Sequence, residues 1–444
     1  MQITNTQSGK KELLTFQDPE RAKLYVCGIT PYDYAHLGHG RCYVTFDVLY
    51  RLLKFLGKDV TYVRNFTDID DKILKKAQDQ FGDRQCYKQI TDRYIEAYTQ
   101  DMQALNCQSP TVEPRVTEMI PDIIRFIEQL IEKGKAYQVD GDVYFNVRSF
   151  PEYLQLSKHK LDDLRSGARV DVNEKKRDPL DFALWKSEPE GEFFKSPWGY
   201  GRPGWHIECS VMAAKYLGKT IDIHAGGQDL IFPHHENEKA QSEALFGETF
   251  ARFWMHNGFV QINKEKMSKS LGNFFTLQDI FKEFDPMVVR YYLLTHHYRA
   301  PLDFSFDDLR AVLKTYKRLV RVFSTYDCPE LTPAQMQESS IVMKMLAYLE
   351  DDLNTPGMWG VLFENLDTIQ ENQKENCAVK NFLQSVLGFT LAPVKEKEIE
   401  ITPEIQQLID ARKEARAQKD WKRADELRDA LRELGVELQD KKTV

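Results

Sequence analysis

The chain has 444 residues, with 60 Lys and Arg against 68 Asp and Glu, a formal net charge of −8 and 42% hydrophobic residues. That length implies about three domains, and the apolar fraction is that of a folded globular protein. The negative balance excludes a basic face over the whole molecule, so any nucleic-acid contact has to be local. No run approaches the ~18 apolar residues of a membrane helix, and residues 1–20 lack the apolar core of a secretory signal. The seven cysteines (27, 42, 86, 107, 209, 328 and 377) are odd in number and scattered. They suggest no disulfide framework and a reduced, cytoplasmic setting, with no membrane partner.

In chain order, Leu24–Ile29 reads as an apolar strand running into a Pro/Asp loop. A long helix then begins near His36, with Val44, Val48, Leu49, Leu52, Leu53 and Leu56 at three- and four-residue spacing and Gly57 as its stop. Asp59–Thr67 alternates like a strand, which completes a strand–helix–strand unit and predicts a parallel sheet binding ligands beyond its carboxyl ends. Asp68, Asp70 and Asp71 open a further helix, where carboxylates favour the dipole. Residues 85–106 and 116–134 read as helices, and 136–147 as a hairpin turning at Asp140-Gly141. The stretch to about 200 is charged and rich in loops. A helix at 206–217, a strand at 220–224, the loop Ala225–Asp229 and a helix from Pro233 follow. Phe259–Ile262, turning at Asn263-Lys264, precedes Lys266-Met-Ser-Lys-Ser270, and from 276 the pattern is helical, with segments at 286–297, 306–326 and 340–373. Residues 390–403 read as a linker. The tail 404–434 reads as a charged helix pair, and 411–432 holds eight Lys/Arg against five Asp/Glu.

Two short runs carry the first chemistry. A strand feeding a loop and a helix N-terminus is a ready anion site, and His36 and His39, three apart, face the same way with Gly38 between them. Alone, this run reads equally as a helix start with two half-buried histidines. By itself the lysine-rich run at 266–270 is more often a solvated loop. It is the pairing of the two runs that changes the reading, and Lys266 and Lys269 could then neutralise negative charge spreading over a leaving pyrophosphate. Asp229, in a Gly-Gly-x-Asp loop after a strand, suits a ribose hydroxyl. A softer set is Cys27, Cys209, His234 and Glu238, the last two at i, i+4. If the three elements converge they make a plausible Zn²⁺ shell. From spacing alone, buried core cysteines and a surface His–Glu pair remain the alternative.

Together, His36-Leu-Gly-His39 and Lys266-Met-Ser-Lys-Ser270 resemble the paired motifs of class I aminoacyl-tRNA synthetases. Longer runs narrow the resemblance to cysteinyl-tRNA synthetases: Cys27-Gly-x-Thr-x-Tyr-Asp33, Asn65–Lys72, Asp181–Lys186, Gly201–Cys209 and His224–Glu238. The resemblance spans nearly the whole chain. It implies an α/β fold with a Rossmann-type catalytic domain in two halves (1–115 and 201–275) split by a connective insertion (116–200). A stem-contact region (276–310), a helical bundle (311–390) and a small anticodon-binding domain (391–444) would follow.

The same resemblance implies ligation of L-cysteine to tRNA(Cys) with ATP, by a monomer. It assigns His36, Gly38, His39, Asp229, Lys266, Ser268 and Lys269 to ATP, and Gly28, Thr67 and Trp205 to cysteine. It also assigns one Zn²⁺ per chain to Cys27, Cys209, His234 and Glu238, and Mg²⁺ arrives with ATP. Trp421, Lys422 and Arg423 are candidates for tRNA contact by stacking and phosphate pairing. Members of the family commonly finish in a Trp-Arg-Arg tail, whereas this chain finishes Lys441-Lys-Thr-Val444. Two rival readings are a ligase passing the same adenylate to a small amino-sugar, and a non-catalytic RNA-binding paralogue. The charged tail argues against the first, and the intact motifs argue against the second.

Overall fold

A computed structural model describes residues 1–159, 175–262, 265–266, 274–394 and 403–433. A short hairpin, β1 (Gln2–Asn5) and β2 (Lys10–Leu13), leads to β3 (Arg21–Ile29), the helix α1 (Leu37–Phe55) and β4 (Asp59–Phe66). This is the expected strand–helix–strand unit. α1 stops where expected, with Gly57 at φ +84°, a left-handed conformation that glycine adopts without strain. Helices Asp71–Phe81, Tyr87–Ala104 and Ile120–Glu132 follow, and then β5 (Ala136–Val139) and β6 (Asp142–Phe145). The β5–β6 turn has positive φ at both Asp140 and Gly141, the twist that a two-residue hairpin prefers.

The segment after 175, expected to be mostly loop, is instead sheet. β7 (Phe182–Ser187), β8 (Phe194–Ser196) and β9 (Gly199–Pro203) join the hairpin in an antiparallel sheet of order β5-β6-β7-β9-β8. These strands are short and interrupted by Gly, Pro and charge, so they lack a legible alternation. Gly204 admits the close pairing at its end, since a Cβ there would sit 1.9 Å from the Ala183 carbonyl oxygen.

The chain returns through the helix Trp205–Tyr216 to β10 (Ile221–Gly227). A kinked turn (Ile231–His235) and the helix Glu236–Phe246 lead to β11 (Ala251–Asn257). The helix thus begins at Glu236 rather than Pro233. The main sheet is parallel, in the order β11-β10-β3-β4. β3 feeds β4 on one side while β10 returns on the other. The carboxyl ends of β3 and β10 therefore form a topological switch point, where α/β sheets bind ligands. β11 went unforeseen because it is buried on both faces and does not alternate.

β12 (Val260–Ile262), β13 (Glu265–Lys266) and β14 (Leu302–Asp303) form a second small sheet. Around it lie the helices Leu277–Glu283, Pro286–Leu294 and Phe306–Phe323. The long helix expected at 340–373 is broken into Ser340–Leu349, Thr355–Glu364 and Leu366–Glu371, followed by Gln373–Ser385. The first break has a clear cause. Asp352 and Leu353 take positive φ, Asn354 caps the next helix by accepting from the Gly357 N–H at 2.9 Å, and Pro356 occupies its first turn. Helix Pro286–Leu294 is pinned to α1 by the fully buried Arg290. Its guanidinium pairs with Asp47 and donates to the carbonyls of Leu105 and Leu387, both at 2.7 Å.

One cysteine pair departs from the expectation of thiols alone: Cys328 and Cys377 form a disulfide within the helical region. The turn at Asn263-Lys264 lies outside the described residues, as do Met267–Ser270. Among the described residues, no helix is long and apolar enough to cross a membrane.

The chain divides into two compact units, Met1–Pro393 and Val394–Val444. In the second, helices Pro403–Ala417 and Trp421–Glu433 pack through Ile405, Ile409 and Leu431.

One buried group in the first unit gives a stability prediction. Asp101 is 3% exposed, and its Oδ2 has no hydrogen-bond partner among the described residues. Burial pushes its carboxyl up to about 7, against ~4 in an unfolded chain. Between those values the folded state keeps a proton that the unfolded state releases, so stability falls as pH rises through the window and is level above it. Asp101→Asn is expected to remove that slope and to stabilise the fold at neutral or higher pH by about 1–3 kcal/mol. Thermal unfolding across this pH range checks it, and a slope that survives the substitution would contradict the assignment.

Candidate active site and metal centre

A cavity of about 550 Å³ opens at the switch point, within the ~300–1,000 Å³ of small-molecule sites. Its walls are the end of β3 with the following loop (Cys27, Gly28, Tyr32), the start of α1 (His36, Gly38, His39), the end of β10 (Gly227, Asp229), and Trp205. Of the residues expected to meet ATP or cysteine, His36, Gly38, His39, Asp229, Gly28 and Trp205 all line it. Thr67 does not. It is 3% exposed, behind the wall, and donates its hydroxyl to Glu208 at 2.6 Å. Lys72 lines the cavity as well.

The two motif histidines cap α1 reciprocally. His36 Nδ1 accepts from the His39 N–H at 3.3 Å, and His39 Nδ1 accepts from the His36 N–H at 3.2 Å. Their rings stack with centroids 3.8 Å apart. Because each Nδ1 is occupied as an acceptor, the proton of each neutral ring sits on Nε2. Gly38 is needed for this arrangement, since a Cβ there would lie 2.9 Å from two atoms of the His36 ring. Gly28 is needed for another reason: a Cβ would overlap the Asn65 carbonyl oxygen at 1.5 Å. Of the lysine motif, Lys266 ends β13, while Ser268 and Lys269 lie outside the described residues.

At the Cys27 side of the cavity, the four separated ligand candidates converge. Cys27, Cys209, His234 and Glu238 are all buried, with donor atoms within 4.8 Å of one another. Cys27 Sγ lies 3.9 Å from Cys209 Sγ and 3.5 Å from Glu238 Oε1. His234 Nε2 lies 3.6 Å from Cys209 Sγ and 3.0 Å from Glu238 Oε1. A tetrahedral zinc ion with ordinary bond lengths needs edges of about 3.8 Å between sulfurs, about 3.6 Å from sulfur to nitrogen or oxygen, and about 3.4 Å from nitrogen to oxygen. These four edges lie within about 0.4 Å of that shell.

Charge fits too. Burial alone would raise Cys209, but hydrogen bonds from Cys27 and His234 and the charge on His234 bring its thiol down to about 6. Burial opposes charge on His234 as well, but the Glu238 carboxylate and Cys209 carry it up to about 10. Two anions thus surround one protonated imidazole, which a divalent cation would replace.

Sequence reasoning missed the histidines behind this set. His224 Nε2 bonds Glu238 Oε2 at 2.7 Å, His235 Nε2 lies 3.2 Å from Cys27 Sγ, and His235 Nδ1 meets His256 Nε2 at 2.8 Å. His206 Nδ1 meets His234 Nδ1 at 3.1 Å. His224 and His235 could themselves join Cys27 and Glu238 in a second four-ligand set. That set has one sulfur instead of two, and its histidines are already tied to neighbours. Two thiolates favour zinc, and His224 on the far oxygen of Glu238 is the kind of outer partner that orients a ligand. Trp205 stacks on His234, with centroids 4.1 Å apart, placing an aromatic face between the metal set and the cavity.

In the second unit, Trp421 is 59% exposed, and Lys422 and Arg423 are exposed beside it at the start of their helix.

Comparison with known proteins gives a consistent result. Residues 14–314 match the family model described as tRNA synthetases class I (C) catalytic domain, and 399–444 match that of the cysteinyl-tRNA ligase anticodon binding domain. The chain is 46% identical to the cysteine–tRNA ligase of Pelobacter propionicus, over 99% of this chain and 98% of the relative. It is 47% identical to that of a Geobacillus species, over 99% and 97%. Among solved structures, Mycobacterium tuberculosis methionyl-tRNA synthetase with methionyl-adenylate superposes with a TM-score of 0.57 at 14% identity, covering 83% of this chain and 89% of that one. An Agrobacterium radiobacter LeuRS–tRNA ternary complex gives 0.59 at 12% identity, covering 84% of each. At those identities the likeness is one of fold.

Proposed function

The chain belongs to the cysteinyl-tRNA synthetases of class I, and from that premise we propose that it activates L-cysteine with ATP and transfers it to tRNA(Cys). The carrying observation is the convergence of two cysteines, a histidine and a glutamate under a nucleotide-sized cavity whose rim is the His36–His39 cap.

In this reading ATP, with its Mg²⁺, enters the cavity with its phosphates against the start of α1. His36 and His39 donate from Nε2 to phosphate oxygens, and the dipole of the helix start favours the negative charge. Asp229 takes a ribose hydroxyl. Cysteine lies between Gly28 and Trp205, with Thr67 bracing the wall behind it through Glu208, and its carboxylate oxygen attacks the α-phosphorus. Pyrophosphate leaves, and Lys266 and Lys269 neutralise the charge that develops on it. No side-chain nucleophile is needed. Cys27, Cys209, His234 and Glu238 would hold a zinc ion, which would supply affinity for a thiolate that a serine hydroxyl does not match. Glu238, held by His224, keeps its other oxygen aimed into the ligand set.

The domain reading extends this. Residues 1–115 and 201–275 are the catalytic halves, 116–200 the insertion, 276–310 the stem-contact region and 311–390 the bundle. Residues 391–444, with Trp421, Lys422 and Arg423, contact the anticodon region of tRNA(Cys). The working form is a monomer in the cytoplasm.

The test is a pair of assays on the full chain and on a chain ending at Pro393. Cysteine-dependent ATP–pyrophosphate exchange is expected to be the same in both. Charging of tRNA with labelled cysteine is expected to fall at least about tenfold on truncation, the loss of ~1.4 kcal/mol or more of tRNA binding. Exchange without charging in the full chain would move the assignment to a ligase with a small acceptor. Equal charging by both chains would mean that the tail does not read tRNA.

A further inference from the structure

Arg41 lies two residues beyond His39 on α1, so the two side chains leave the helix on nearly opposite sides. It is 1% exposed, and the acceptors of its guanidinium are all main-chain carbonyls. Nη1 donates to the Phe259 oxygen at 2.8 Å. Nη2 donates to the oxygens of His297 (3.2 Å) and Tyr298 (3.3 Å) and, in the shortest bond, to that of Ala300. Burial brings its pKa down only to about 10, so it stays charged at neutral pH.

The segments it gathers are those that place the lysine strand. Phe259 immediately precedes β12, whose Gln261 pairs with Lys266 of β13. The 297–300 segment leads into β14, which pairs with β12 on its other side. The joint is tight. The Gly258 N–H donates to the Tyr298 oxygen at 2.8 Å, and the Leu302 N–H donates to the Phe259 oxygen at 2.9 Å. A Cβ on Gly258 would stand 2.6 Å from the Ala300 oxygen. Phe259 and Val260 also line the cavity that His36 and His39 line. Beyond the lysine run the chain is tied back to the same helix start: the Leu277 N–H donates to the Ala35 oxygen at 2.8 Å, and His36 bridges to Thr276. The described segments on either side of the run are therefore both tied to the His36 end of α1, and Arg41 supplies a side-chain anchor on the leading side.

We propose that Arg41 is a positioning residue for adenylate formation, locking the helix that carries His36 and His39 to the strand pair that carries Lys266. The proposal rests on the adenylate-forming reading of this cavity. A planar fork with a fixed charge can collect carbonyls from two segments at one point, and an apolar side chain of equal length cannot. Misplacing catalytic groups by about 1 Å can cost about 10²-fold in rate.

The test measures ATP–pyrophosphate exchange by the full-length protein and its Arg41→Met, Arg41→Lys and Gly258→Ala variants, each normalised to folded protein by bound zinc and circular dichroism. Arg41→Met is expected to lower kcat by about 10²-fold while the KM for cysteine stays within about twofold. Arg41→Lys is expected to recover part of that loss. Gly258→Ala, which crowds the Ala300 oxygen that accepts from Arg41, is expected to lower kcat in the same way. If Arg41→Met does not fold, the other two variants decide. A kcat per folded molecule within about threefold of the parent, or a loss shared equally by cysteine KM, would overturn the proposal. A parent that shows no cysteine-dependent exchange would instead fail the functional reading itself.

Discussion

Cys209→Ala is expected to be purified without zinc and to lose cysteine activation by more than about 10³-fold. Removing a partner that merely orients a metal ligand costs about 10–100-fold in affinity or activity, and here a ligand itself is removed. Cys209 is 2% exposed at the centre of the set and supplies the thiol that its neighbours bring down to about 6. Its loss leaves one sulfur, one nitrogen and one carboxylate, a poorer zinc shell. Metal analysis of the purified variant beside the parent, which should carry one zinc per chain, checks this. Undiminished zinc in the variant would remove Cys209 from the set and with it the account of substrate choice.

Lys269→Ala is expected to act on a different quantity. Cysteine binding and zinc content should be unchanged, while kcat for pyrophosphate exchange falls about 10²–10³-fold, the usual loss when one group aimed at developing charge is removed. The charge on the leaving pyrophosphate grows only as the bond to the α-phosphorus breaks, so a lysine that answers it stabilises the transition state and leaves ground-state binding alone. Steady-state exchange kinetics with cysteine varied separates the two parameters, and equal losses in kcat and in cysteine affinity would contradict the role.

The parallel sheet was legible because its first unit carries both periods in clear form: an alternating strand, a helix with apolar residues every three or four, and a glycine at the stop. The His36 and His39 cap was legible as a shared helical face, and the structure adds that the rings cap the helix themselves. The metal set was not legible from spacing. Its members sit at 27, 209, 234 and 238, on the end of a strand, a helix beyond the insertion, a kinked turn and another helix. Nothing in local periodicity says that these meet. The residues alone gave the four as a plausible shell beside an ordinary reading as core cysteines and a surface pair, and the resemblance of the longer runs decided between them. The supporting histidines were hidden for a related reason. His224 lies inside a buried strand and His235 beside a residue already assigned, so each reads as core. The insertion sheet was missed where Gly, Pro and charge break the strands into short pieces. The 340–373 helix was overextended because the left-handed turn at Asp352-Leu353 uses residues that do not announce it. Asn354 and Pro356 were the available signals.

On the proposed function, a metal bound by Cys27, Cys209, His234 and Glu238 selects the substrate. The most direct test is adenylate formation with cysteine and with serine, measured side by side on the zinc-loaded protein. A pocket that sorts by shape separates such near-isosteres by only about 10–200-fold. The account predicts a preference for cysteine beyond about 10³-fold, above what shape supplies. A preference within the range of shape alone, or one that persists after zinc is stripped, would contradict it.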